Sequence, residues 1–163
     1  MPKSIEENLD KAGYVLFRNA ISESDVELGT GFINDDKVLY SAMIDFIETV
    51  VLGKVNEILG WDSEYIKFRV SDNNNSSDAS TFHRDILCHD HKKEVYPVYT
   101  LLLYLDNAKM ELIPMSHKNP ISRFWDALNI YGLKEELNLN PGDLLLFSST
   151  MLHRGIFTEK IDH

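Results

Sequence analysis

The sequence predicts an α+β chain in which helices come first and a jelly-roll or double-sheet barrel core follows. Three observations carry this expectation. Between Val38 and Leu59, apolar residues recur at helical spacing. Later, short apolar runs at 95–105, 110–114 and 143–148 have strand length and are punctuated by Pro, Gly, Asn and Asp. Between the two regions lies the wholly polar stretch Ser71 to Asp78, too hydrophilic to pack. Helices followed by runs of short strands form an α+β pattern, and a double-sheet jelly roll is one arrangement for such strands. With 163 residues, the chain is expected to be one domain over 1–163, with 1–60 as helical support and 61–163 as the jelly-roll core.

Each element has a local reason. Ser4-Ile5-Glu6-Glu7 reads as a capping box, and Gly13 is a stop for the short helix it opens. Tyr14-Val15-Leu16-Phe17 reads as a strand. Ser22-Glu23-Ser24-Asp25 opens a second helix, with acidic residues at the positive end of its dipole. Leu39, Met43, Phe46, Ile47, Val50 and Val51 mark a third, which Gly53 and Gly60 weaken or end. Tyr65, Ile66, Phe68 and Val70 suggest a strand before the polar loop, which is either a hairpin connection or a flap over a site. Phe124 to Leu128 and Leu133 to Leu137 are expected to form helical turns, with Trp61 and Trp125 as packing anchors.

Composition narrows the function. Hydrophobic content of 44% with 26% charged residues is that of a soluble globular protein, and no apolar run reaches the ~20 residues of a membrane span. The first residues lack a secretory pattern, and a single cysteine, Cys88, fits a reducing cytoplasm. A net charge of −10 repels phosphate backbones, which argues against nucleic acid as a partner.

The chemistry points to His83-Arg84-Asp85 and the distant His153. In a strand, residues two apart share a face, so His83 and Asp85 can grip one ion while Arg84 points away. Two imidazoles and a carboxylate form the facial set that leaves metal positions open, as in non-haem Fe(II) oxygenases. A surface ion pair and a core histidine are the alternatives. A second cluster, Cys88-His89-Asp90-His91, offers zinc-type ligands, but neighbours in an extended chain alternate faces and a solvated turn explains it better.

Several segments together carry a resemblance: Thr81-Phe82-His83-Arg84-Asp85, Thr100 to Asn107, Glu111-Leu112-Ile113-Pro114-Met115-Ser116-His117-Lys118, and Pro141-Gly142-Asp143 through His153-Arg154-Gly155. Their order and spacing over residues 65 to 155 resemble the phytanoyl-CoA dioxygenase family of Fe(II)/2-oxoglutarate oxygenases. The resemblance implies a double-stranded β-helix, cupin-like, with His83, Asp85 and His153 as iron ligands and catalytic centre. It also implies 2-oxoglutarate as co-substrate, together with O2 and a small-molecule substrate. The presence of Asp85, absent from related halogenases, favours hydroxylation, and Leu101 and Leu103 are expected to wall the oxidant from water.

The sequence departs from the family in three places. The position of the Arg that usually follows the distal His by ten or eleven residues falls at Asp162, His163 or just past the end of the sequence, and the last strand is expected to be missing from it. Arg69, Arg154 or Lys160 are the substitute cations for the distal carboxylate of 2-oxoglutarate, and Tyr99 and Thr100 are its candidate hydrogen-bond partners, with packing as the other role for each. Met115 stands where the family has Gly. A catalytically inactive binding module, or a Zn or Mn hydrolase on the same triad, are the alternative functions.

Overall fold

The computed structural model describes residues 3–34, 40–63, 80–86 and 98–156. The expected strand at 65–70 with Arg69, the polar loop, the Cys88 to His91 cluster and Lys160 lie outside the described residues.

Helix α1 (Lys3–Lys11) leads into strand β1 (Tyr14–Phe17), and α2 (Glu23–Asn34) follows. Then come α3 (Tyr40–Phe46), a π-helical segment (Ile47–Leu52) and α4 (Gly53–Leu59). The strands and the last helix are β2 (Tyr99–Leu103), β3 (Ala108–Leu112), a 3-10 turn (Ser116–Lys118), α5 (Arg123–Ile130), β4 (Glu135–Leu139), β5 (Leu144–Ser148) and β6 (His153–Ile156). They form two three-stranded antiparallel sheets, ordered β1-β5-β2 and β4-β3-β6.

Strand β5 organises the core. Leu144 to Phe147 is a continuous apolar run because both faces of the central strand are covered. Leu144 and Leu146 pack with Leu9, Val26, Phe46, Val51, Val55 and Leu59 of the helices. Leu145 and Phe147 face the other way, against Met110, Leu112, Leu137 and Leu139 of the second sheet. The result is three layers, helices on sheet on sheet. Period-two alternation assigns β2 likewise: Tyr99, Leu101 and Leu103 pack towards the helices, and Leu102 packs between the sheets.

Local signals explain most boundaries. Ser22 Oγ accepts from the Asp25 N–H at 3.2 Å and caps α2. Gly60 ends α4 in the left-handed region at φ 66°, its N–H donating to the Asn56 carbonyl at 2.8 Å. In the turn before β5, Gly142 has φ 85°, and a Cβ there would sit 2.8 Å from the Ile21 carbonyl oxygen.

Four expectations need correction. Helix α1 begins at Lys3, so Ser4 lies inside it rather than before it. Gly53 does not stop the third helix; it opens α4, directly after the π-helical segment. Residues Glu135 to Leu139 form β4 instead of a helical turn, because Leu137 and Leu139 alternate inward against β3. Trp125 is no anchor: it is 42% exposed, on a helix that buries none of its residues. Trp61 does pack, its ring 5.3 Å from that of Tyr99.

Candidate metal centre

Residues 80–86 run beside the start of β6. His83 and His153 pair as an isolated antiparallel bridge, each N–H donating to the other's carbonyl at 3.0 Å. Directly opposed residues on paired strands project to the same side. The two imidazoles therefore lie together, ring centroids 4.3 Å apart. Asp85, two residues after His83, joins them: its Oδ1 is 3.8 Å from His83 Nε2 and 3.6 Å from His153 Nε2. One ligand atom from each of the three residues lies within 4.8 Å of the others.

The donor set fits a divalent metal. His83 Nδ1 is 2.8 Å from the Thr81 carbonyl, and His153 Nδ1 is 3.0 Å from the Met151 carbonyl. A carbonyl can only accept, so each Nδ1 carries a proton, and Nε2 is the nitrogen that each ring turns towards Asp85. Backbone or carboxylate partners of this kind fix metal-ligating histidines. Ligands about 2.1 Å from one ion stand roughly 3.0–3.4 Å apart, so the two measured pairs must close by roughly 0.2–0.8 Å, which side-chain rotation supplies. His153 is buried, while His83 and Asp85 are partly open to solvent, which gives the site an accessible mouth. Its inner wall is Phe147, fully buried, with its ring centroid 4.5 Å from that of His153. Leu101 and Leu103, expected to supply that wall, face the helices instead.

The intervening Arg84 points the other way, as the alternation requires. Its guanidinium is buried and donates to Asp126 Oδ1 of α5 at 2.6 and 3.2 Å, to the Ser116 carbonyl at 3.0 Å and to the Thr150 carbonyl. Ser116 is also buried, and its Oγ accepts from the Leu152 N–H at 2.9 Å. One residue of the segment thus fastens the backbone that carries its two neighbours. Sequence reading placed Arg84 on the far face but missed its partners, since nothing local marks Asp126.

The residues expected to contact a co-substrate fall in different places. Thr100 faces the cluster and donates to Asp85 Oδ2 at 2.6 Å. Tyr99 points to the helix side, where burial, with a smaller contribution from the Asp10 charge, raises its phenol pKa. Arg154 lies on the opposite face of β6 from His153; it pairs with Glu111 at 2.5 Å and covers the Phe82 ring at 4.7 Å. A cleft of about 490 Å³ lined by Ile21, Asp25, Val50 and Lys54 lies on the helix side, away from the cluster.

At the other end of β5 from the cluster, Asp143 anchors the turn into that strand. Arg18 donates to it at 2.6 Å, and the N–H groups of Asn19 and Asn140 donate at 3.0 and 2.9 Å. Burial alone would raise this carboxyl, but those hydrogen bonds and the Arg18 charge outweigh it and lower its pKa.

No protein-family model matches the sequence, and no curated protein matches it. Solved structures do. HygX from Streptomyces hygroscopicus with nickel and 2-oxoglutarate bound superposes with a TM-score of 0.65 at 13% identity, over 97% of this chain and 81% of that one. HygX with hygromycin B also bound gives 0.63 at 12% identity, over 97% and 82%. The non-heme alpha ketoglutarate dependent epimerase SnoN from nogalamycin biosynthesis gives 0.60 at 11% identity, over 97% and 77%. HygX is also known with iron bound, and that structure matches too. At these identities the likeness establishes a shared fold.

Proposed function

We propose that the chain is a non-haem Fe(II)/2-oxoglutarate-dependent dioxygenase of the phytanoyl-CoA dioxygenase type, which hydroxylates a small organic substrate. The carrying observation is the convergence of His83 Nε2, Asp85 Oδ1 and His153 Nε2, with both Nδ1 protons spent on backbone carbonyls. The shared fold with HygX and SnoN supports it, since HygX is known with metal and 2-oxoglutarate bound. On this reading the two sheets are the walls of a double-stranded β-helix in a single domain: β1 joins the strands that follow residue 61 in that core, so only the helices of 1–60 brace it. A cytoplasmic location is part of this reading and rests on the single Cys88, which suits a reducing compartment.

His83, Asp85 and His153 would hold the ion on one face. Bound there with 2-oxoglutarate and O2, ferrous iron supplies an oxidant strong enough for an unactivated C–H bond. The balanced change is substrate C–H, 2-oxoglutarate and O2 giving C–OH, succinate and CO2. Asp85 balances one positive charge and keeps its site closed to a halide. Phe147 excludes water from the buried side. Arg69 and Lys160, both outside the described residues, remain the candidate cations for the distal carboxylate, because Arg154 is engaged by Glu111.

SnoN favours a second reading, epimerisation, in which one hydrogen is abstracted and one returned to the opposite face, and an added reductant such as ascorbate, not the substrate, takes the remaining oxidising equivalents to water. Incubation with Fe(II), 2-oxoglutarate and O2 tests the class before any substrate is known. Succinate should accumulate, and His83→Ala should abolish it. Metal binding without succinate would point to a hydrolase, and no metal binding to an inactive binding module. With a substrate in hand, a product one oxygen heavier means hydroxylation and an unchanged mass means epimerisation.

A further inference from the structure

The two oxygens of Asp85 have different surroundings. Oδ1 faces both histidine Nε2 atoms, whereas Oδ2 accepts the Thr100 hydroxyl at 2.6 Å. A carboxylate only accepts, so Thr100 spends its proton on Asp85. The Ser149 Oγ, 3.0 Å from Thr100 Oγ1, must then donate to it. Ser149 is buried and its position is over-determined: its N–H donates to the Val98 carbonyl and its carbonyl accepts from the Ile86 N–H, both at 3.0 Å. It therefore bridges the strand carrying Thr100 and the segment carrying Asp85.

We infer that Thr100 and Ser149 are positioning residues that turn the Asp85 carboxylate so that only Oδ1 is presented to the metal. This rests on the metal-binding reading above. A carboxylate free to rotate can chelate through both oxygens and occupy a position that two-point co-substrate binding and O2 require. With Oδ2 tied to Thr100, Asp85 would offer a bound ion only Oδ1 and leave room for the co-substrate and O2. Thr100, with its hydroxyl committed to Asp85, thus acts on the ligand and not as a hydrogen-bond partner of 2-oxoglutarate. Valine has nearly the shape of threonine without the donor, so the role is separable from packing.

Calorimetric titration with Co(II) tests it on the wild type, Thr100→Val, Thr100→Ser and Ser149→Ala, with melting curves in parallel. Removing such a partner of a ligand weakens metal affinity by roughly 10–100-fold, which is the loss expected of Thr100→Val. Thr100→Ser keeps the donor and should bind like the wild type; Ser149→Ala should fall between them. Wild-type affinity in a folded Thr100→Val protein overturns the inference, as does a Thr100→Ser protein as weak as Thr100→Val. Should Thr100→Val not fold, unchanged affinity in folded Ser149→Ala overturns it instead. No Co(II) uptake by the wild type would overturn the metal reading and this inference with it, an outcome distinct from equal uptake by all variants.

Discussion

Arg84 and Asp126 form an ion pair at 2.6 Å across 42 residues of sequence, with the Arg84 side chain 1% exposed. A guanidinium so deeply buried is tolerated because Asp126 and two backbone carbonyls receive its protons. Removing Arg84 leaves the quarter-exposed Asp126 without its charge partner and the buried Ser116 carbonyl without this donor. Arg84→Ala is expected to cost about 3 kcal/mol or more in urea unfolding. Arg84→Lys should recover only part, since an ammonium cannot reproduce the planar fork.

Asp143 makes the fold sensitive to acid. Its folded pKa is lowered from the ordinary 3.8, against the opposing effect of burial, by the Asn140 and Asn19 N–H groups and by Arg18. A lowered folded value means that the contribution is fully present above the unfolded pKa near 3.8. It is lost as pH falls through the still lower folded value. Melting curves of wild type and Asp143→Asn should therefore lie furthest apart at neutral pH and approach each other below about pH 4. A gap that stays constant down to pH 2.5 would contradict this account.

Met115 has φ 66°, in the left-handed region that costs an L-residue with a Cβ roughly 1 kcal/mol or more. It is 57% exposed, so its side chain contributes little burial. Met115→Gly should raise stability by about 0.5–1 kcal/mol after the added unfolded-state entropy of glycine is subtracted. This also gives a physical reason for glycine at the matching position of the family that the sequence resembles. A lower melting temperature for Met115→Gly would count against the strain.

Phe147 joins core and site. It is fully buried between the sheets and lies against His153. Phe147→Ala is expected to destabilise by about 3–5 kcal/mol. Phe147→Leu should cost far less in stability while opening space beside the imidazole, so its metal affinity should fall more than its melting temperature does.

The parts legible in the sequence were those with a local cause. Leu144 to Phe147 announces a two-sided strand, Ser22 announces a cap, and the spacing of His83 and Asp85 announces a shared face. What misled was ambiguous spacing: Leu133 and Leu137 stand four apart, as on a helix, and only pairing with β3 selects Leu137 and Leu139 as the inward set. The π-helical segment at 47–52 carries no local mark. The clamp on Arg84 and the hydroxyl on Asp85 depend on Asp126 and Thr100, whose approach is created by the fold and not by neighbours in the chain. Strand phase also divides β2: Thr100 reaches the cluster, while Leu101 and Leu103 on the other face pack against the helices.

The most direct measurement is anaerobic titration with Fe(II) and then 2-oxoglutarate, followed by visible absorption. A metal-to-ligand charge-transfer band should grow with 2-oxoglutarate to one equivalent in the wild type and be absent in Asp85→Ala. Iron binding with no band on adding 2-oxoglutarate would contradict the co-substrate, and an undiminished band in Asp85→Ala would contradict the ligand set.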